Sequence, residues 1–196
     1  MPEARLASYS RVDANPRERS RRDSRRRVLG LCQSGEVEWC IDVVGGTDPR
    51  VRRTVAIYLD EVSQRLGLAE AVHVEPDELA EFTPPHGAFV LLRTRDDVHP
   101  RGGAGIRRLD ESRAELKRLW IDPMVRGHGA GRTLLDAAVG EARALGFRAL
   151  YLDSHFALTE ARQLYLSAGF EDAERYNDNP HAQYWMVKPL HDELSA

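Results

Sequence analysis

Ile121-Asp122-Pro123-Met124-Val125-Arg126-Gly127-His128-Gly129-Ala130-Gly131-Arg132 is the stretch on which the fold turns. The residues before it, Ala114 to Ile121, read as a strand. Those after it, from about Ala130 to Leu145, place Leu134, Leu135, Ala138, Ala142 and Leu145 on one helical face that stops at Gly146. A glycine loop between a strand and a helix leaves several backbone N–H groups at the positive end of the helix without an intrahelical partner. That arrangement suits an anion. Glycine lets the backbone approach a phosphate closely, and charge-assisted hydrogen bonds contribute about 1.5–3 kcal/mol each. Arg126 and Arg132 add charge, and His128 supplies its backbone N–H. Two familiar phosphate loops do not fit. GxxxxGK[ST] requires a lysine that is absent, and GxGxxG requires its third glycine one position after Gly131.

Outward from the loop, the chain alternates strand and helix signals. Glu36 to Val44 reads as a strand closed by Gly45-Gly46. Asp48-Pro49 then supplies an N-cap and a first-turn proline for a helix whose apolar residues run from Val51 to Leu66 and stop at Gly67. Pro76 to Phe82 predicts a short helical turn, and Ala88 to Arg93 a compact apolar strand. Gly103 to Leu109 and Ala114 to Ile121 predict a meander, with Gly102, Gly103 and Gly105 read as a turn entering a strand. Beyond the loop helix come a strand at Arg148 to Asp153 and a helix bearing Ala161, Leu164, Tyr165 and Ala168 at i, i+3, i+4, i+7, ended by Gly169. Closing strands at Phe170 to Arg175 and Gln183 to Val187 flank a loop at Asn177 to His181. The fold class is mixed α/β with a partly antiparallel sheet.

Composition limits the function classes. A chain of 196 residues with 42% apolar content suits one domain with an ordinary core. No apolar run approaches the roughly 18 residues of a membrane span, and the N-terminus lacks a secretory h-region, so a soluble, cytoplasmic protein is expected. Cys32 and Cys40 form no CxxC pair, so neither a metal site nor a disulfide framework is expected. The first 27 residues hold nine arginines against four carboxylates, a local +5, so the remainder carries −8 of the total −3. An acidic body argues against nucleic-acid partners. Residues 1–35 are expected to be a disordered arginine-rich extension, 36–190 the folded domain and 191–196 a tail.

Arg126, Gly129 and Gly131, placed after a strand that ends Ile121-Asp122-Pro123, resemble the acetyl-CoA signature of the GCN5-related N-acetyltransferases (GNAT). The resemblance extends in element order from about Glu36 to Leu190 and takes in AELKRLWIDP, Leu164-Tyr165, Gly169-Phe170 and an Asn-Pro loop before the final strand. It implies a splayed sheet flanked by helices, with acetyl-CoA as co-substrate and a small-molecule amine as acceptor. The strand backbone near Leu119, Trp120 and Ile121 would pair with pantetheine and the acyl carbonyl. Pyrophosphate would sit on the N–H groups of Arg126, Gly127, His128, Gly129, Ala130 and Gly131. Leu158 departs from the pattern, since many relatives carry asparagine there. That departure keeps a non-catalytic acyl-CoA-binding module as the rival reading; the sequence leaves homodimerisation open.

Direct acyl transfer to an amine requires a neutral nucleophile, a polarised carbonyl and release of a thiolate. Deprotonating a lysine-like amine at pH 7 costs about 4.6 kcal/mol, whereas protonating a thiolate is worth about 2 kcal/mol at most. A backbone N–H near Trp120 or Ile121 serves the carbonyl. The resemblance implies Tyr165 as the acid on the leaving group. Glu115 is the candidate base, acting directly or through water, because it shares strand parity with Lys117, Leu119 and Ile121, with Asp153 and His155 as alternatives and Asn179 and His181 at the substrate mouth.

Overall fold

The computed structural model describes residues 25–28, 37–68 and 76–190. One eight-stranded sheet runs in the order β1 (Arg25–Val28), β2 (Trp39–Val44), β3 (Gly87–Thr94), β4 (Gly102–Arg108), β5 (Arg113–Ile121), β6 (Ala149–Ser154), β8 (Tyr184–Pro189), β7 (Glu171–Asp172). All neighbours are antiparallel except β5 and β6. Four residues of the expected disordered extension therefore form an edge strand, with Arg25 opposite Val43. The rest of that extension and the tail lie outside the described residues.

Local chemistry sets the helices. α1 (Pro49–Leu66) starts where the Asp48 carboxylate accepts the Arg50 N–H at 2.9 Å and stops at Gly67, whose φ of 63° a side chain would strain. α2 (Pro76–Ala80) is short. α3 (Ala130–Ala144) and α4 (Thr159–Ser167) end before Gly146 and Gly169, as their spacing predicts. α1 and α2 cover one sheet face, packing Val51, Val55, Leu59, Leu79 and Phe82 on Phe89 and Leu91. α3 and α4 cover the other, where Leu134, Leu135 and Ala138 meet Val90, Ile106 and Leu150.

Two sequence expectations change. Gly102, Gly103 and Gly105 lie within β4 rather than in a turn, and they permit close packing. A Cβ on Gly103 would stand 2.8 Å from Thr54 of α1, and one on Gly105 2.6 Å from the Phe82 ring. The strand expected over Phe170 to Arg175 shrinks to Glu171–Asp172, because Tyr176 and Asn177 turn inward to hydrogen-bond Glu115.

The sheet opens in its middle. β5 and β6 share only the pairs Arg113–Ala149, Ala114–Leu150 and Glu115–Tyr151, then diverge. Opposite β4, β5 carries one extra residue: Arg118 and Leu119 face the single Ala104 between the pairs Gly105–Lys117 and Gly103–Trp120. Arg118 has φ 58°, the only non-glycine residue with positive φ among the described residues.

Candidate active site

The bulge at Arg118 reverses the alternation of β5. Ala114 and Leu116 join the α3–α4 core before it, and Leu119 and Ile121 join the same core after it. Glu115 and Ile121 therefore point to opposite faces although their numbers share parity. Glu115 has no exposed surface. Its oxygens accept from Arg107 Nε at 2.6 Å, Tyr176 Oη at 2.8 Å and Asn177 Nδ2 at 3.1 Å, with Lys117 Nζ at 3.5 Å. It lines none of the three cavities described below, so its carboxylate does not face them directly.

The loop turns on two left-handed glycines. Gly127 and Gly129 have φ of 80° and 77°, and an added Cβ at either would meet nothing within 4 Å. Loop carbonyls are used inward: that of Arg126 contacts His128 Nδ1 at 2.9 Å, and that of His128 accepts from Trp39 Nε1 at 3.3 Å. The N–H groups of Ala130, Gly131 and Arg132 open α3 and have no intrahelical acceptor. Arginine side chains are committed elsewhere. Arg126 donates to both Glu61 oxygens at 2.7 Å and to the Ile121 carbonyl at 2.9 Å, while Arg132 pairs with Asp136 at 2.8 Å.

A cavity of about 290 Å³ adjoins the loop, walled by Leu119, Trp120 and Ile121 of β5, Gly131, and Leu158 and Leu164 beside α4. Glu61, which also accepts the Trp120 indole N–H at 2.9 Å, closes its α1 side. Sequence reasoning missed Glu61 because a lone acid on an amphipathic helix resembles any solvated residue.

Leu119 and Leu158 are shared with a smaller cavity of about 110 Å³, which Tyr165, Asp153, His155 and His181 line. Tyr165 is 6% exposed, its ring 5.8 Å from that of Phe170, and burial pushes its phenol well above the ordinary range. Burial would raise the Asp153 carboxyl as well, but the Lys117 ammonium at 2.9 Å and the amides of Asn179 and Asn177 outweigh it and hold the group below the usual carboxylate range. His155 Nδ1 accepts the Ala157 N–H at 3.0 Å. A third cavity of about 310 Å³ continues toward α2, sharing Tyr58, Lys117, Arg118, Asn179 and His181 with the second. Leu158, where hydrogen bonding is lost relative to the resemblance, begins α4 without a side-chain cap.

Among the described residues there is no cluster of three or more metal-ligating side chains, and no helix is long and apolar enough to cross a membrane.

Comparison with known proteins agrees with this geometry. Residues 54–170 match the model of the acetyltransferase (GNAT) family. An uncharacterised N-acetyltransferase of Schizosaccharomyces pombe is 33% identical over 137 residues, covering 63% of this chain and 78% of the relative. A structure from Klebsiella pneumoniae, assigned as an acyl-CoA N-acyltransferase, is 25% identical with a TM-score of 0.61, over 78% of this chain and 98% of that one. A Salmonella typhimurium acetyltransferase-fold structure with its cofactor acetyl-CoA is 16% identical with a TM-score of 0.58, over 81% and 98%. From its glycine loop, parted sheet and matched residues, this chain belongs to the GNAT acetyltransferase family.

Proposed function

We propose that the protein transfers an acetyl group from acetyl-CoA to a primary amine by direct attack within a ternary complex. The observation that carries this reading is the shared walls of the three cavities, which follow one another from the glycine loop, past Tyr165 at the parting of β5 and β6, to a chamber beside α2. When bound, acetyl-CoA supplies the activated thioester. The N–H groups of Gly127 to Arg132 would hold its pyrophosphate, and the β5 backbone at Leu119 to Ile121 would receive its pantetheine. Arg126 braces the loop against α1 through Glu61 rather than reaching for phosphate. At the reacting centre the amine nitrogen bonds to the carbonyl carbon as the carbon–sulfur bond breaks, and the Tyr165 hydroxyl proton passes to the leaving sulfur, the phenol regaining a proton from solvent as the His181 imidazolium gives up the amine's. Burial keeps that phenol protonated throughout the physiological range. Removal of the amine proton falls to His181, which lines both the second and third cavities and whose backbone Asn179 fixes at 3.1 Å.

Calorimetric titration with acetyl-CoA tests the loop. Gly129→Asp suits the left-handed backbone there and sets a carboxylate on the free N–H groups, so binding should be lost in a protein that still folds. Tyr165→Phe should bind acetyl-CoA normally and lose up to about 30-fold in kcat, the equivalent of about 2 kcal/mol. Unchanged binding in the first variant, or unchanged kcat in the second, rejects the corresponding role.

A further inference from the structure

The third cavity is lined by three cations, Arg107, Lys117 and Arg118, and by two carboxylates, Glu78 and Glu81. Lys117 and Arg118 are consecutive in β5, and ordinary strand alternation would send them to opposite faces. The bulge brings both to the same cavity, with Arg118 in the left-handed conformation that non-glycine residues disfavour. The cations there differ in how firmly they are held. Arg107 is bonded to Glu115 and Glu81 at 2.6 and 2.7 Å, and Lys117 to Asp153 at 2.9 Å. Arg118 lies over the Tyr58 ring, 5.8 Å from its centroid, and reaches Glu78 only at 3.3 Å. Glu78 is half exposed on the short α2, so this pair is weak and readily displaced.

We infer that Arg118 is a carboxylate-binding residue and that the acceptor is a free amino acid, a small molecule carrying an amine and a carboxylate a few bonds apart; this rests on the transferase reading above. The guanidinium offers a planar fork of donors suited to bidentate carboxylate binding, and Glu78 already presents a carboxylate to it. Arg118 lines both the 310 Å³ chamber and the 110 Å³ cavity that holds Tyr165, so a carboxylate on it lies close to the reacting amine. A peptide N-terminus lacks that neighbouring charge.

The test pairs proteinogenic amino acids with their carboxamides, titrated calorimetrically into full-length protein saturated with CoA and assayed for thiol release from acetyl-CoA. The free acid should bind at least about ten-fold tighter than its amide, the worth of one charge-assisted hydrogen bond. Arg118→Asn, which tolerates the left-handed backbone, should bring that ratio toward unity with acetyl-CoA affinity unchanged. Glu78→Gln, which frees the guanidinium, should widen it. A wild-type ratio near unity, an undiminished ratio in Arg118→Asn, or no binding of any amino acid overturns the inference. Turnover of amines regardless of a carboxylate would leave the transferase reading standing and sink this one. Selective binding of acids without thiol release would overturn the transferase reading and with it the acceptor assignment, leaving Arg118 only as a carboxylate-binding residue.

Discussion

With no exposed surface and three donors on its two oxygens, Glu115 is a buried charge held by Arg107, Tyr176 and Asn177. Removing Glu115 takes a buried acceptor from Tyr176, while Arg107 keeps Glu81 and Asn177 keeps Asp153. Glu115→Ala should therefore lower unfolding free energy by about 1–3 kcal/mol, read from denaturant midpoints, because a buried hydroxyl loses its acceptor. A large drop in kcat at unchanged stability would instead support a chemical role. The glycine loop was legible residue by residue, because positive φ at Gly127 and Gly129 demands the residue type that sequence shows. The facing of Glu115 was misread because its parity was counted through an arginine that breaks the count. Arginine gives no compositional sign of a left-handed turn, whereas glycine or asparagine would have done so.

At the scale of elements, caps and stops were readable because each has its own chemistry: Asp48 before Pro49, then Gly67, Gly146 and Gly169. What sequence spacing misassigned was the purpose of the β4 glycines, since a missing side chain marks a turn and a close contact alike. Gly105→Val tests the contact. Gly105 has no positive φ, so valine suits its strand backbone, but the side chain would start 2.6 Å from the Phe82 ring. The variant should lose about 1–3 kcal/mol of stability through overpacking. A denaturation midpoint equal to that of the parent would show that α2 does not press on β4 as described. Closing strands were overestimated for a related reason. Propensity cannot register that Tyr176 and Asn177 gain more from a buried carboxylate than from continuing a ladder.

For the whole molecule, protonation sets a stability plateau. Asp48 and Asp153 both have depressed pKa values, with burial opposed by Arg50 in one case and Lys117 in the other, so each stabilises the fold fully above its unfolded value of about 3.9. That contribution is lost as pH falls through the lower, folded values. Tyr58 and Tyr165 are shifted upward by burial, so their contribution is complete below about pH 10 and declines above it as the unfolded chain ionises. Urea midpoints measured across pH should hold steady between these limits and fall on both sides. A fall at acid pH beginning well above about pH 5 would contradict the assignment to these carboxylates. The parted sheet also has a mechanical meaning. Because β5 and β6 touch through three residue pairs, the two half-sheets form a wedge with its apex at Glu115. Lys117 and Asp153, the next residues out on facing sides, are bolted together at 2.9 Å, and Asn177 ties Asp153 to Glu115. The angle of the wedge is thus set from within, by polar bolts at its apex, rather than by whatever is pushed between its arms.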